Sequence, residues 1–522
     1  MCAVMSSKRC VNRMLHNDMR AANTGPLEVS WSRFPESVDA TICKFWTILV
    51  ARSRSANNDD GFFSNFIQLA KNNVVGHLGI HVDSAPLGRG DKVDQVAKGI
   101  IDDAWDDFSE QGAFDVTGQL SRKAFEELWI ATKMMDGEAM ARIVIDDSLP
   151  FGIGVQMIDP MRLDVHFNED LSGGGFIRHG IEFNGYGRPV AYYFSADTAG
   201  RSFGYSSLRS ERTRVSAEFI IHDFIHEFVG QKRGLPQLRS ILWRLRQFSR
   251  AEDSMIANLR ASASKMGFFT TDGSDEEPPP AGAEGEGDGG SAIEIDNADA
   301  EFYDIGNRKV IPYSPQFPDA AVEPFMRTLA RGISSGMGAN YYKVFNDLTG
   351  VSFSSIRQGE LSERDFWRSH QVAMIDGFVK PLRRVWLKVM LLSGRLYNRR
   401  RMLRAADLQA LRYASFKGRT WSWIDPQSEA AASALMLERN MTSLTDFLSN
   451  QGVDFWEFIE TLSNERAEME KRGIAQVVTP GGGVLASPGK RPEVAGAKES
   501  ADSSKVSSKV SSKVVTKAAD AE

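Results

Sequence analysis

LPQLRSILWRLRQFSRAEDSMIANLRASASK, residues 235–265, reads as one long amphipathic helix. Leu238, Ile241, Leu242, Leu245, Phe248, Ile256 and Leu259 mark its apolar side at helical spacing. Arg239, Arg246, Arg250 and Arg260 sit elsewhere on its surface. The stretch Asp272–Asp304 reverses that character. It holds 12 acidic residues and no Lys or Arg, and it is rich in Pro and Gly (Pro278-Pro279-Pro280, Gly285, Gly287, Gly289, Gly290). It is too poor in apolar residues to pack and is expected to include a flexible loop. A second long helix is expected to begin near Asp319. Val322, Phe325, Met326, Leu329 and Ile333 form its stripe, and Glu323 with Arg327 makes an i,i+4 pair in the favourable order. Two long helices separated by a polar excursion therefore occupy the middle of the chain.

Upstream, residues 138–228 read as strands. Ala139–Ile145 and Val155–Ile158 are short apolar runs, and Gly180–Phe194 looks like a hairpin around Asn184-Gly185, a pair that tolerates positive φ. Before them the pattern is helical. Val38, Ile42, Phe45, Trp46, Leu49 and Val50 share one helix, and a second runs from Phe62 to Lys71. A short strand follows near His77–Val82. Ala97, Ile101, Trp105 and Phe108 share a face of the helix Asp94–Phe108. A further helix is expected from a Ser121 cap to Asp136, stopped by Gly137, with Phe125, Leu128, Trp129, Thr132 and Met135 as its face. Downstream, helices are expected over Ser355–Leu392, Ala405–Leu411, Gln427–Asn440 and Asp454–Lys471. Beyond Val477 a Ser-Ser-Lys-Val repeat reads as a disordered tail that limited proteolysis should remove. The class is α+β.

Composition is that of a soluble globular protein, 42% hydrophobic and 25% charged. No run of 18 apolar residues suggests a membrane span, and the N-terminus lacks the apolar core of a secretory signal. The three cysteines, Cys2, Cys10 and Cys43, form no CxxC pair and suit a reducing cytosol. Lys and Arg number 62 against 68 Asp and Glu. Because 12 of those acids lie in one segment, the remainder is mildly basic. A sequence-specific DNA binder usually shows a stronger basic footprint. A protein that lets DNA slide past needs none, since each phosphate contact adds grip.

Candidate chemistry is sparse. His222, His226 and Glu227 invite comparison with a zinc helix, but Asp223 stands where the catalytic Glu should follow the first His. The segment Phe219–His226 also reads as a strand, which separates the imidazoles. Gly483–Lys490 fails the phosphate-loop spacing, with Arg491 where Ser or Thr should bind Mg²⁺. Gly173-Gly174-Gly175 reads as a loop, and no nucleophile elbow is present. Asp102, Asp103, Asp106 and Asp107 read as a solvated helix face rather than nuclease carboxylates. No cofactor, no metal and no enzymatic activity are expected. The arginines of residues 235–265 face either water or a DNA or protein partner.

Several segments together resemble the lambda-type phage portal family. They include Leu49-Val50-Ala51-Arg52-Ser53-Arg54 followed by Asn72-Asn73-Val74-Val75-Gly76, and Gln156-Met157-Ile158-Asp159-Pro160-Met161-Arg162-Leu163. His179-Gly180-Ile181-Glu182 with Gly187-Arg188-Pro189-Val190-Ala191-Tyr192-Tyr193 is similar to the family's hairpin. His222–Phe228 with Gly230-Gln231-Lys232-Arg233-Gly234-Leu235-Pro236 is similar to the approach to its long helix. Phe353-Ser354-Ser355-Ile356-Arg357 stands for its "ySSaR" segment, with Phe in place of the usual Tyr. Trp423-Ile424-Asp425-Pro426 and Gly452-Val453-Asp454 resemble its closing elements. The ordered resemblance spans about residues 30–472, and the acidic insert is longer than is typical.

The resemblance implies the portal fold, assembled as a cyclic ring, usually a dodecamer, at one capsid vertex. Its parts map as an N-terminal arm (1–29), a mixed α/β wing (30–230), a first stem helix (231–265) and a clip with the acidic insert (266–315). A second stem helix (316–339), a channel loop (340–354), a helical wing and crown region (355–472) and the tail (473–522) follow. Arg239, Arg246, Arg250, Lys343, Asn346 and Asp347 are the candidates for the DNA channel. The implied partners are double-stranded DNA without sequence preference, the terminase large subunit, head–tail connector proteins, and the major capsid and scaffold proteins, with no membrane. The implied location is the virion, and the host cytoplasm during assembly. The competing expectations are another head protein, scaffold or capsid subunit, and an enzyme built on His222, His226 and Glu227.

Overall fold

The structure, a computed structural model, describes residues 34–88, 93–195, 212–263, 267–271, 308–312, 321–399, 401–421, 426–450, 453 and 455–472. The expected N-terminal arm, the acidic stretch 272–304, the tail, Cys2, Cys10 and Gly483–Lys490 lie outside the described residues.

Ser37 starts the first helix, α1 (Val38–Asp59), by accepting from the Ala40 amide at 3.2 Å. Ile42, Trp46 and Val50 recur every fourth residue on its buried side, while Phe45 is half-exposed. Asp60 ends this helix and begins α2 (Gly61–Ala70), its carboxylate accepting from Phe62 and Phe63 at 3.0 and 2.9 Å. A π turn (Lys71–Val75) extends α2, and β1 (His81–Ser84) follows. Asp94 and Ser121 cap α3 (Gln95–Ser109) and α4 (Arg122–Asp136), and Gly137 stops α4 in the left-handed region at φ 88°.

The sheets are antiparallel. β2 (Glu138–Ile145) lies between β3 (Ile153–Ile158) and β9 (Ile220–Phe224). β4 (Glu169–Asp170), β5 (Phe176–Arg178), β6 (Ile181–Phe183), β7 (Pro189–Ser195) and β8 (Arg212–Ser216) form a meander in chain order. Alternation along β2 feeds two cores. Ala139, Ala141 and Ile143 join the principal core, and Met140 joins a smaller one with Ile181, Tyr192 and Phe194. This antiparallel sheet structure with segregated helices agrees with the α+β class.

Helix α5 (Leu242–Ala263) leads to the ribbon of β10 (Gly267–Thr271) and β11 (Arg308–Pro312), and α6 (Val322–Met337) follows. Then come α7 (Phe353–Met374), a π turn (Ile375–Val379) and α8 (Lys380–Leu392). β12 (Ala414–Lys417) returns to pair with β1, His81 opposite Lys417. A second compact unit contains α9 (Pro426–Glu438) and α11 (Phe455–Lys471), with α10 (Leu444–Asn450) between them in sequence. Among the described residues no helix is long and apolar enough to cross a membrane.

Several expectations change. Leu235–Ile241 is turn rather than helix, because Pro236 follows a segment whose backbone presses on Gly137. Neither Gly137 nor Gly234 has room for a Cβ, since each abuts backbone of the other segment. Leu128 is exposed on α4, whereas Arg122, Glu126, Lys133 and Asp136 are buried. Phe325 is exposed on α6, and Ile256 and Leu259 are about half-exposed on α5. In the β6–β7 hairpin the positive φ falls on Gly187, while the Asn184 carboxamide oxygen accepts from Tyr186 and Arg188. Asp102 is not a solvated residue. It is largely buried, accepts from the Ser84 amide at 3.2 Å, and burial pushes its carboxyl up to about 6.

Candidate functional site

α5 and α6 can pack closely because α6 is narrow where they meet. A Cβ on Gly336 would overlap the Ile241 side chain, and Gly332 lies beside the Arg244 guanidinium. Leu238, Ile241, Leu245 and Phe248 meet Ala330, Ile333 and Met337 in the principal core. Trp243, Arg244, Arg246 and Arg250 on α5, and Phe325 and Arg331 on α6, are exposed. Arg331 lies 5.6 Å from the centre of the Tyr341 ring.

Residues 340–352 connect α6 to α7 and are fastened at both ends. Lys343 Nζ is 2.8 Å from the Glu360 carboxylate and 3.4 Å from Glu363. Tyr342 donates to Glu360 at 2.8 Å, and the Asn340 amide to Glu363 at 3.2 Å. Asn65 donates to the carbonyls of Lys343 and Val344, and the tilted Phe345 and Phe62 rings lie with centres 4.3 Å apart. Asp347 organises the turn. It accepts from the Thr349 hydroxyl, the Tyr341 hydroxyl at 2.7 Å and the Thr349 amide at 2.9 Å, and Arg327 Nε lies at 3.3 Å. These hydrogen bonds, Thr349 first, hold its carboxyl well below the usual range. Asn346 and Leu348 are left exposed, Asn346 with φ 53°.

The six channel candidates therefore divide. Arg246, Arg250 and Asn346 are exposed, and neither arginine has a carboxylate partner among the described residues. Arg239 pairs with Glu227 and donates to the Pro236 carbonyl at 3.2 Å, so it sits in the turn ahead of α5. Lys343 and Asp347 are engaged within the loop. Arg244 and Arg331 are not among the sequence candidates, and Arg327 is read there only as the partner of Glu323, although their presence on two long helices is the available signal.

His222, His226 and Glu227 do not converge on a common point. His222 Nε2 lies 3.1 Å from Glu138 and Nδ1 3.4 Å from the Tyr192 hydroxyl. His226 stacks on Phe224 at 4.2 Å, and Glu227 serves Arg239. Beneath this strand is a polar core that sequence reading missed. Arg233, fully buried, forms an ion pair with the equally buried Glu138, donates to the carbonyls of Pro160 and Leu163, and lies 4.3 Å from the Trp46 ring centre. Burial pushes the Glu138 carboxyl up, but Arg233 and the His222 hydrogen bond outweigh it and hold it down at about 2. Lys133 is likewise buried, 2.7 Å from Asp223, which also accepts from Trp129 at 3.1 Å. Buried charges of this kind require paired, hydrogen-bonded partners.

The profile described as "Phage portal protein, lambda family" matches residues 24–371, and the chain belongs to that family. It is 28% identical over 469 residues to a probable portal protein of Halomonas phage phiHAP-1, covering 88% of each chain. It is 20% identical over 491 residues to portal protein B of Escherichia phage lambda, covering 85% of this chain and 88% of that one. Among solved structures it is similar to a chain in the neck of a native gene transfer agent particle computed with C12 symmetry. The TM-score is 0.42 at 12% identity, covering 78% of this chain and 93% of that chain. For the empty particle computed with C6 symmetry the TM-score is 0.40 at the same identity and coverage.

Proposed function

We propose that copies of this chain close into a ring, a dodecamer in the expected case, at one capsid vertex, and that double-stranded DNA passes through it during packaging and ejection. Family membership over residues 24–371 carries the reading. The paired helices α5 and α6 act as the stem, the β10–β11 ribbon as the base of the clip, and residues 340–354 as the channel loop. Residues 30–230 form the wing, and 355–472 the remaining wing and crown. A cyclic ring uses heterologous contacts, so each side chain facing the axis is repeated in every subunit. Arg246, Arg250 and Asn346 then form rings of weak, non-specific contacts that centre a duplex without holding it.

The role is structural. A separate ATPase, the terminase large subunit, supplies the energy, while head–tail connector, major capsid and scaffold proteins dock on the ring. No catalytic residue, metal or cofactor is assigned. Negative-stain images of purified protein should show closed rings with a central hole. Shells or low-order oligomers would point instead to a capsid or scaffold subunit.

A further inference from the structure

The cations of this chain are also concentrated in one segment. Residues 380–419 contain 12 Lys and Arg and one acid, Asp407. Some of these cations are used internally. Arg383 is buried and donates to the Ser84 hydroxyl at 2.8 Å and the Arg412 carbonyl at 3.1 Å. Lys380 pairs with Asp376 at 2.6 Å, Arg395 donates to the Pro150 carbonyl at 2.5 Å, Arg401 pairs with Asp94, and Arg419 donates to the Asn72 carbonyl. Arg384, Lys388, Arg399, Arg404 and Arg412 remain exposed, with no carboxylate partner among the described residues.

Their placement is regular. Arg384 and Lys388 are one turn apart on the exposed side of α8, about 6 Å along its axis. The helix ends at Leu392, and a tight turn follows in which Asn398 N donates to the Arg401 carbonyl at 2.9 Å and Leu403 N to the Leu396 carbonyl at 2.9 Å. That turn holds Arg399 near its tip, with Tyr397 bridged to Met402 across it, and Arg404 lies just beyond. A solvated charge run normally mixes signs, because unrelieved like charges repel. Here the segment holds one exposed acid, Asp407, with no ion pair among the described residues, and most of the exposed cations are arginines, whose planar forks match phosphate oxygens.

We propose that this face binds the phosphate backbone of duplex DNA on the outside of the ring, separately from the channel. The proposal rests on the portal reading for the presence of DNA. A phosphate backbone fits better than an acidic protein surface. The cations lie on a helix and on its succeeding turn, whereas a stable protein interface is built around a buried apolar centre. Tyr397 and Met402 pair across the turn and are exposed, but the five exposed cations outnumber them.

A covalently closed circular duplex cannot thread a closed ring, so its binding reports the outer surface alone. Affinity of assembled rings for such a circle should be measured as a function of salt. The comparison is between the native protein, the quadruple variant Arg384→Gln/Lys388→Gln/Arg399→Gln/Arg404→Gln, and the stem variant Arg246→Gln/Arg250→Gln. Losing four phosphate contacts should make the slope of log affinity against log salt shallower by about 3 to 4, with at least a roughly tenfold loss near 0.1 M salt. The stem variant should bind the circle as the native protein does. Arg384→Lys/Arg399→Lys/Arg404→Lys should keep the native slope, which separates charge from folding. An unchanged slope in the quadruple variant overturns the proposal, as does an equal loss in the stem variant. Native circle binding combined with failure to enter capsids would overturn it in favour of a protein partner. Absence of rings in the native protein would defeat the portal reading, while the slope of the quadruple variant would still test this face.

Discussion

Arg233 and Glu138 form the most deeply buried ion pair among the described residues, because neither side chain reaches solvent. Breaking a buried pair leaves one uncompensated charge, so Arg233→Met or Glu138→Gln should each cost about 3–5 kcal/mol in denaturant unfolding. Replacing both together should cost less than the sum of the two. Glu138 has a folded value near 2, below its ordinary 4.5. Its contribution is therefore complete above pH 4.5 and is lost as pH falls from there toward 2. Glu138→Gln should flatten the acid limb of the stability profile in that window. Asp102 has the opposite sign. Its folded value of about 6 lies above the ordinary 3.8, so its contribution is complete below 3.8 and is lost as pH rises through 6. Asp102→Asn keeps an acceptor for the Ser84 amide. It should raise the melting temperature by on the order of a few °C at pH 8 and leave it unchanged near pH 3.5.

Helix caps were legible because they are local. Ser121 and Gly137 announce the limits of α4 in the sequence itself, and the structure places its cap and stop there, whereas Asp94, read as the first residue of α3, is its cap. The inward face of α4 was not legible. Its charged residues look solvated until partners supplied from far along the chain, Asp223 for Lys133 and Arg54 for Asp136, turn them inward. The β1–β12 pair, whose strands are separated by most of the chain, leaves no local signature, and neither does the β10–β11 ribbon. Among the site residues, the exposed arginines of α5 follow from helical spacing, but the capture of Lys343 and Asp347 by Glu360, Tyr341 and Thr349 does not. The contact of α5 with α6 is testable as an element. Gly336→Val must push Ile241 aside and should cost about 1–3 kcal/mol in unfolding. Combined with Ile241→Ala, the two losses should be less than additive, since each relieves the other.

At the scale of the assembly, charge and contact can be separated. If the proposed ring and channel are right, Arg246→Glu/Arg250→Glu, which alters exposed side chains only, should leave rings intact in negative stain while lowering the DNA recovered per particle. Arg239→Glu is a different experiment, because it places a second acid against Glu227 and disturbs the turn ahead of α5. If Arg239→Glu alone reduced ring yield, the turn would be the element that sets how α5 leaves the β2–β9 sheet. That departure is governed by Gly137 and Gly234, whose bare backbones cross with no side chain between them. In a saturation library selected for folded, soluble protein, both positions should return glycine alone, while Trp243 and Phe325 accept many substitutes. Tolerance to mutation would then trace the crossing as two intolerant points almost a hundred residues apart, a couplet invisible to any reading of neighbouring positions.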